Sequence, residues 1–295
     1  MAFLEKVETG KQDINPIICT AGTSGVGKTT FVASAPRPIL LPLEDGAFQI
    51  DVARFPRPKT FSEAMRMIDE LISTDHDYKT FGVDSIDWLE TLAHQEVCLE
   101  RGAKSISDIP YGQGFALTLN KFQEFIQKIK QLRSKMIIIL VCHSHIKQFS
   151  DPVTGANYDR YTLKLHEKVA ALIKEAVDVL LFMNFETLVR KEGMKSKAFG
   201  DGKRVMFTQY RPAHDGKSRY NLPYEMPLDW DEFYNIIKTG DPKRPGVLRQ
   251  EIEGMLLAIT DEDLKKKVTE AVALAGSNAV QLSKIANRLK VKLEA

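Results

Sequence analysis

Gly22-Thr23-Ser24-Gly25-Val26-Gly27-Lys28-Thr29 fills every fixed position of the phosphate-binding pattern G-x-x-x-x-G-K-[ST]. The pattern works where a buried strand feeds a glycine-rich turn that opens a helix, because backbone N–H groups at the helix start then surround the phosphates. Both flanks comply. Pro16 to Ala21 is a short apolar run that predicts a strand, and Thr29 to Ala35 predicts a helix ended by Pro36. In that setting Lys28 reaches the β- and γ-phosphates of ATP, the Thr29 hydroxyl ligates Mg²⁺, and the glycines let the backbone approach the anion. Gly22 through Thr30 is therefore the expected nucleotide-binding segment.

The rest of the chain is read outward from this loop. Pro38 to Leu43 is a second apolar run and ends at Glu44; Tyr78 to Ser85 reads as a short strand that ends at the acidic Asp84. In a parallel sheet, residues just past strand C-termini gather on one edge, where ligands bind. Glu44 is thus a candidate base for an attacking water, and Asp84, with Asp87 as the alternative, is a candidate Mg²⁺ holder. The most apolar run, Lys135 to Cys142, predicts a central strand buried on both faces and ends in His143-Ser144-His145. Two histidines at i and i+2 without a third ligand do not make a zinc site. His143 is instead expected to sense a γ-phosphate.

The chain has 295 residues, 43% hydrophobic and 27% charged, with a net charge of +2, so no global basic field points to nucleic acid. Its three cysteines, Cys19, Cys98 and Cys142, show no C-x-x-C spacing and suit a reducing compartment. No apolar run has the length of a membrane span and Met1 to Lys6 lacks an apolar signal region, so a cytoplasmic location without membrane contact is expected.

Between the strand ends, a capping box at Thr60 to Glu63 predicts a helix over 61–73, and further helices are expected over 86–101, 119–132 and 165–176. Two stretches read as loops: 102–114, with Lys104 and Tyr111, and 147–164, with Lys147, Phe149, Tyr158, Arg160 and Tyr161. Cations interleaved with aromatics suit single-stranded nucleic acid, although a solvated loop has the same composition. Val177 to Met183 predicts a strand, and 187–190 with 204–209 predicts a hairpin turned at Gly200 to Gly202. Lys217 and Arg219, at i and i+2 in an extended segment, point the same way and suit one polyanion. Asp229 to Ile237 predicts a helix. After a linker at 239–246 comes a helical appendage with a cap at Thr260, which divides the chain into a core, 1–240, and an appendage, 241–295.

This order of parts resembles the RecA-like core over roughly residues 12–238, and most nearly the phage-encoded, core-only Sak-type annealing and recombination proteins. The resemblance implies a three-layer α/β fold with a mostly parallel central sheet and a C-terminal antiparallel hairpin. It implies Lys28 and Thr29 as the Walker A pair, Glu44 as catalytic base, Asp84 as the Walker B acid and His143 at the place of RecA's sensing glutamine. Residues 102–114 and 147–162 fall at the two DNA-binding loops, and Lys217 and Arg219 at residues that reach a neighbouring subunit's γ-phosphate. The arm carrying Phe3 and Leu4 is the candidate docking motif. The implied activity is DNA-stimulated ATP hydrolysis by a homo-oligomer, filament or ring, that binds, anneals and pairs single-stranded DNA in the host cytoplasm beside a single-stranded DNA-binding protein. The K-x-R-x-x-x-P run also resembles ring-forming DnaB-type helicases. A small-molecule kinase with the same phosphate loop and a nucleotide-gated interaction protein without DNA are further alternatives.

Overall fold

The computed structural model describes residues 7, 9–10, 12, 14–192, 195–200, 202–239, 245–259, 261–275 and 279–294. Phe3, Leu4, Thr260, Asp201 of the expected hairpin turn and residues 240–244 of the linker lie outside this set. The chain divides into two compact units, Met1–Arg219 and Tyr220–Ala295.

In the first unit β1 (Ile17–Gly22), α1 (Lys28–Ala33), β2 (Pro38–Pro42), β3 (Ala53–Arg54), α2 (Phe61–Ser73), β4 (Thr80–Asp84), α3 (Ile86–Arg101) and α4 (Gln113–Leu132) come first. β5 (Ile137–Ser150), β6 (Asn157–Leu163), α5 (Glu167–Ala176), β7 (Val179–Phe185), β8 (Leu188–Glu192), β9 (Lys195–Phe199), β10 (Arg204–Phe207) and β11 (Lys217–Ser218) complete it. The main sheet runs β10-β7-β1-β5-β4-β2-β3, with β6 also on β5 and β11 also on β7. From β7 to β3 every pairing is parallel, whereas β10 and β11 run antiparallel to β7 and β6 antiparallel to β5.

Alternation along the strands builds the layers. Cys19, Ile39, Leu41, Phe81, Val83 and Ile138 share one core with α2, α3, α4 and α5, where Phe61 and Phe125 each pack against Phe122. α1 packs on the opposite face, with Val32 so close to Gly82 that a Cβ there would lie 2.5 Å from its Cγ1. The result is a three-layer α/β fold with a mostly parallel central sheet. α2 spans the residues that its capping box predicts: the Glu63 N–H donates to Thr60 Oγ1 (3.0 Å) while the Glu63 carboxylate accepts from the Lys59 N–H (2.7 Å).

Three expectations are corrected. Residues 147–164 are not a loop: β5 runs on past His143 to Ser150 and pairs with β6 from Ser144↔Leu163 to Ser150↔Asn157. Its polar and aromatic residues resemble a loop in composition, but they alternate with period two, and cross-strand pairing is what that alternation serves. The expected pairing of 187–190 with 204–209 does not form. β8 pairs with β9, and β10 pairs with β7, where Val205 and Met206 become buried. Residues 102–114 are not one open loop, since single 3₁₀ turns at Ile106–Asp108 and Pro110–Gly112 lead into α4, which begins at Gln113. Gly114 permits the early start, because a Cβ there would lie 2.7 Å from the Ile106 carbonyl oxygen.

The second unit holds β12 (Glu225–Pro227), α6 (Trp230–Thr239), α7 (Pro245–Ala258), α8 (Glu262–Ala275) and α9 (Ala279–Glu294). Leu248, Ile252, Val268, Leu282, Ala286 and Leu289 form a core shared by its last three helices. Among the described residues no helix is long and apolar enough to cross a membrane.

Candidate nucleotide site and basic hairpin face

Register alone gathers the site. Gly22 pairs with His143 and with Met183, Asp84 pairs with Pro42 and Val141, and Glu44 follows two residues after Pro42. The ends of β1, β2 and β4 and the His143 position on β5 therefore share one sheet edge. Gly22 must be glycine here, because a Cβ would lie 2.2 Å from the Met183 carbonyl oxygen. Gly25 (φ 75°) and Gly27 (φ 103°) turn the loop through left-handed backbone, and Gly27 is the N-cap of α1. Val26 is buried and anchors the loop, whereas Ser24 and Thr30 are exposed.

Lys28 is buried and folds back over its own loop, where Nζ donates to the carbonyls of Gly22 (3.1 Å) and Thr23 (2.9 Å). Burial pushes its pKa down, and the carboxylates of Asp84, Glu44 and Asp87 oppose that. The Thr29 hydroxyl donates to Asp84 Oδ2 at 2.5 Å. Asp84 is 2% exposed and its pKa is pushed up to about 6, first by burial and further by Glu44, against the Thr29 hydrogen bond. A buried carboxylate that resists its charge, beside a second carboxylate and a hydroxyl, is a set of hard oxygen donors that fits Mg²⁺. Among the described residues no group of three or more His, Cys, Asp or Glu is arranged to hold a metal by itself, so a cation here would also need oxygens from a nucleotide.

His143 lies between two acids. Its Nδ1 is 2.9 Å from Asp87 Oδ2, its backbone N–H donates to Asp87 Oδ1 (3.1 Å), and its Nε2 is 3.8 Å from Glu44 Oε2. The Asp87 hydrogen bond raises the His143 pKa despite partial burial. Burial works against Asp87, but the hydrogen bonds from His143, together with the Ser85 hydroxyl, outweigh it and hold the carboxyl below its usual range. Sequence reasoning placed Asp87 as an alternative to Asp84. The geometry makes Asp87 the orienting partner of His143, at the second position of α3. The signal was available in the sequence as an acid three residues past a strand end, but only its two hydrogen bonds to His143 show that it serves β5.

The residues read as nucleic-acid contacts separate into groups. Cross-strand pairs His145↔Thr162, Lys147↔Arg160 and Phe149↔Tyr158 fall on one face of the β5–β6 hairpin. Tyr161 belongs to the other face and packs on Phe182 (centroids 4.9 Å apart), so it does not join them. Lys147 is exposed, while Arg160 is only 7% exposed and is held by Asp215 (2.7 Å) and the Tyr210 hydroxyl (3.2 Å). Lys104 is exposed, and Tyr111 is 98% exposed on left-handed backbone (φ 57°).

Lys217 and Arg219 lie at the opposite sheet edge. Lys217 pairs with Leu180 and donates to the carbonyls of Lys174 (2.7 Å) and Glu175 (3.2 Å). Arg219 donates to Asp178 Oδ1 (3.0 Å). Leu180, the partner of Lys217, and Asp178, the partner of Arg219, precede Met183 at the Gly22 register by about 10 and about 16 Å of strand, so neither side chain is brought to its own chain's phosphate loop. Asp178, which the sequence reading passed over, is a buried hub: Oδ2 also accepts from the Ile17 N–H (2.9 Å) and from Arg133 (2.7 Å).

No curated protein matches the chain. A family model described as an AAA domain matches residues 14–220, which covers the whole sheet edge that carries Lys28, Thr29, Glu44, Asp84 and His143. With a phosphate loop between a buried strand and a helix, and strand-end acids beside it, the chain belongs to the AAA domain family of P-loop ATPases.

Proposed function

We propose that this P-loop ATPase is an ATP- and Mg²⁺-dependent protein that binds, anneals and pairs single-stranded DNA as a homo-oligomer, as its resemblance to Sak-type RecA-like proteins implies. The observation that supports this reading is the continuity of β5. One strand runs from His143, hydrogen-bonded beside the phosphate loop, to Lys147 and Phe149 on the exposed hairpin. A displacement at His143 is thereby transmitted along a paired strand to a cationic, aromatic face suited to bases and phosphates.

In this mechanism Lys28 leaves its loop carbonyls for the β- and γ-phosphates, and Thr29 and Asp84 would hold Mg²⁺. Bound there, the ion would supply charge neutralisation at the phosphate oxygens. Glu44 takes the proton of the attacking water, and His143, oriented by Asp87, contacts the γ-phosphate. Lys217 and Arg219, remote from their own loop, act on the loop of a neighbouring subunit, which makes hydrolysis depend on assembly.

The test is ATP hydrolysis across protein concentration, with and without single-stranded DNA, for wild type and for mixtures of Lys28→Ala with Arg219→Ala. DNA stimulation, a superlinear rise with protein and recovered activity in the mixture support the reading. A rate proportional to protein and indifferent to DNA overturns it.

A further inference from the structure

A cavity of about 290 Å³ opens between the His145–Phe149 face of the hairpin and α5. It is separate from the phosphate loop and uses none of the residues assigned to ATP. Its floor is apolar, from Leu163, Leu165 and Ala170, and its walls carry Phe149, Lys147 and Lys174. Its size is at the small end of ligand pockets and suits one ring system, not a segment of chain.

The polar groups at the cavity are built and incompletely used. Asp215 fixes Arg160 and Lys174 (2.7 and 2.5 Å), and Arg160 in turn lies over the Phe149 ring at 5.6 Å. Arg160 Nε and His145 Nδ1 are buried without a hydrogen-bond partner. Burial, with Lys147 and Lys164 nearby, lowers the His145 pKa, which favours a neutral ring able to meet an uncharged polar edge. An aromatic wall, an apolar floor and the exposed Lys147 match two parts of a nucleotide, base faces and phosphate.

We infer that this cavity takes a single base, unstacked from the bound strand, against Phe149, with Lys147 on the adjoining phosphate. The inference rests on the single-stranded DNA reading above and deepens it. Binding by this route depends on bases and not on the backbone charge alone.

The test uses the full chain and fluorescence anisotropy with two labelled oligomers of equal length, oligo(dT) and its abasic counterpart. Ala171 lines the cavity from an exposed position on α5, so Ala171→Phe fills it without removing a charge. Retained nucleotide binding and an unchanged melting temperature certify the fold of the variant. Wild type is expected to bind oligo(dT) at least about tenfold more tightly than the abasic strand, the scale of one stacked base. Ala171→Phe should lose that preference and keep its affinity for the abasic strand. Equal binding of both strands by wild type, or an undiminished preference in Ala171→Phe, overturns the base pocket and leaves the DNA reading standing. Absence of binding to either strand overturns the DNA reading itself.

Discussion

Asp87 Oδ2 stands 2.9 Å from His143 Nδ1, and its other oxygen accepts the His143 backbone N–H at 3.1 Å, so one carboxylate fixes both the ring and the strand behind it. His143 has a folded pKa above its ordinary 6.5, so its contribution to stability is full below pH 6.5 and is lost as pH rises through the raised value. Asp87 has a depressed pKa, so its contribution is present above pH 3.8 and is lost as pH falls through the lower folded value. The pair is therefore strongest between those limits. In Asp87→Asn the imidazole should titrate at or below 6.5 by NMR, and hydrolysis should fall by roughly tenfold or more with nucleotide affinity retained. An unshifted imidazole titration would contradict the pairing.

Asp84 gives a second pH prediction, of opposite consequence. Its folded pKa of about 6 exceeds the ordinary 3.8, so the fold favours the protonated form and stability declines as pH rises from about 4 to 6. Without Mg²⁺ or nucleotide, Asp84→Asn should be more stable than wild type at pH 7.5, by up to about 3 kcal/mol on the scale of the shift. Thermal denaturation in EDTA measures this. The same variant should lose Mg²⁺-dependent tightening of nucleotide binding.

The two loop glycines should respond differently. Gly22→Ala places a Cβ 2.2 Å from a backbone oxygen of β7, and because β1 is central the sheet cannot yield cheaply. A loss above about 3 kcal/mol is expected by denaturant titration. Gly25→Ala meets nothing within 4 Å and carries only the left-handed backbone cost, about 1 kcal/mol.

Asp178 and Arg219 separate structure from chemistry. Asp178→Ala strands the Ile17 N–H and Arg133 and should cost about 3–5 kcal/mol in a melt. Arg219 has a 57% exposed side chain, so Arg219→Ala should cost below about 1 kcal/mol. A large loss of ATPase in Arg219→Ala with a near-normal melt would therefore report a role beyond the ion pair.

On the hairpin, Lys147→Ala should weaken single-stranded DNA binding and reduce the salt slope by about 1. Tyr161→Ala, which removes the ring on Phe182, should lower the melting temperature and leave the salt slope unchanged. Reversed results would put the nucleic-acid face on the other side of the hairpin.

Much of this site was legible in advance because its parts are local. The phosphate loop needs only eight consecutive residues, and the limits of α2 and α3 follow from a capping box and from Gly102. Glu44, Asp84 and His143 come to one edge because each follows a segment that forms a parallel strand, and parallel strands bring such ends together. The hairpin was missed because cations and aromatics resemble a solvated loop unless their alternation is matched to a partner strand. β10 was paired with the wrong strand for a similar reason: Val205 and Met206 are buried by β7, and only the assembled sheet offers that place.

The sequence by itself determined the nucleotide chemistry and the α/β core, because glycine conformations, apolar runs and caps act over a few residues. Only the tertiary structure decided that Asp87 serves His143, that Asp178 ties three segments together and that Tyr161 turns away from Lys147. Those relationships depend on strand register, where a shift of one residue exchanges the faces, and register is set by packing across the whole sheet.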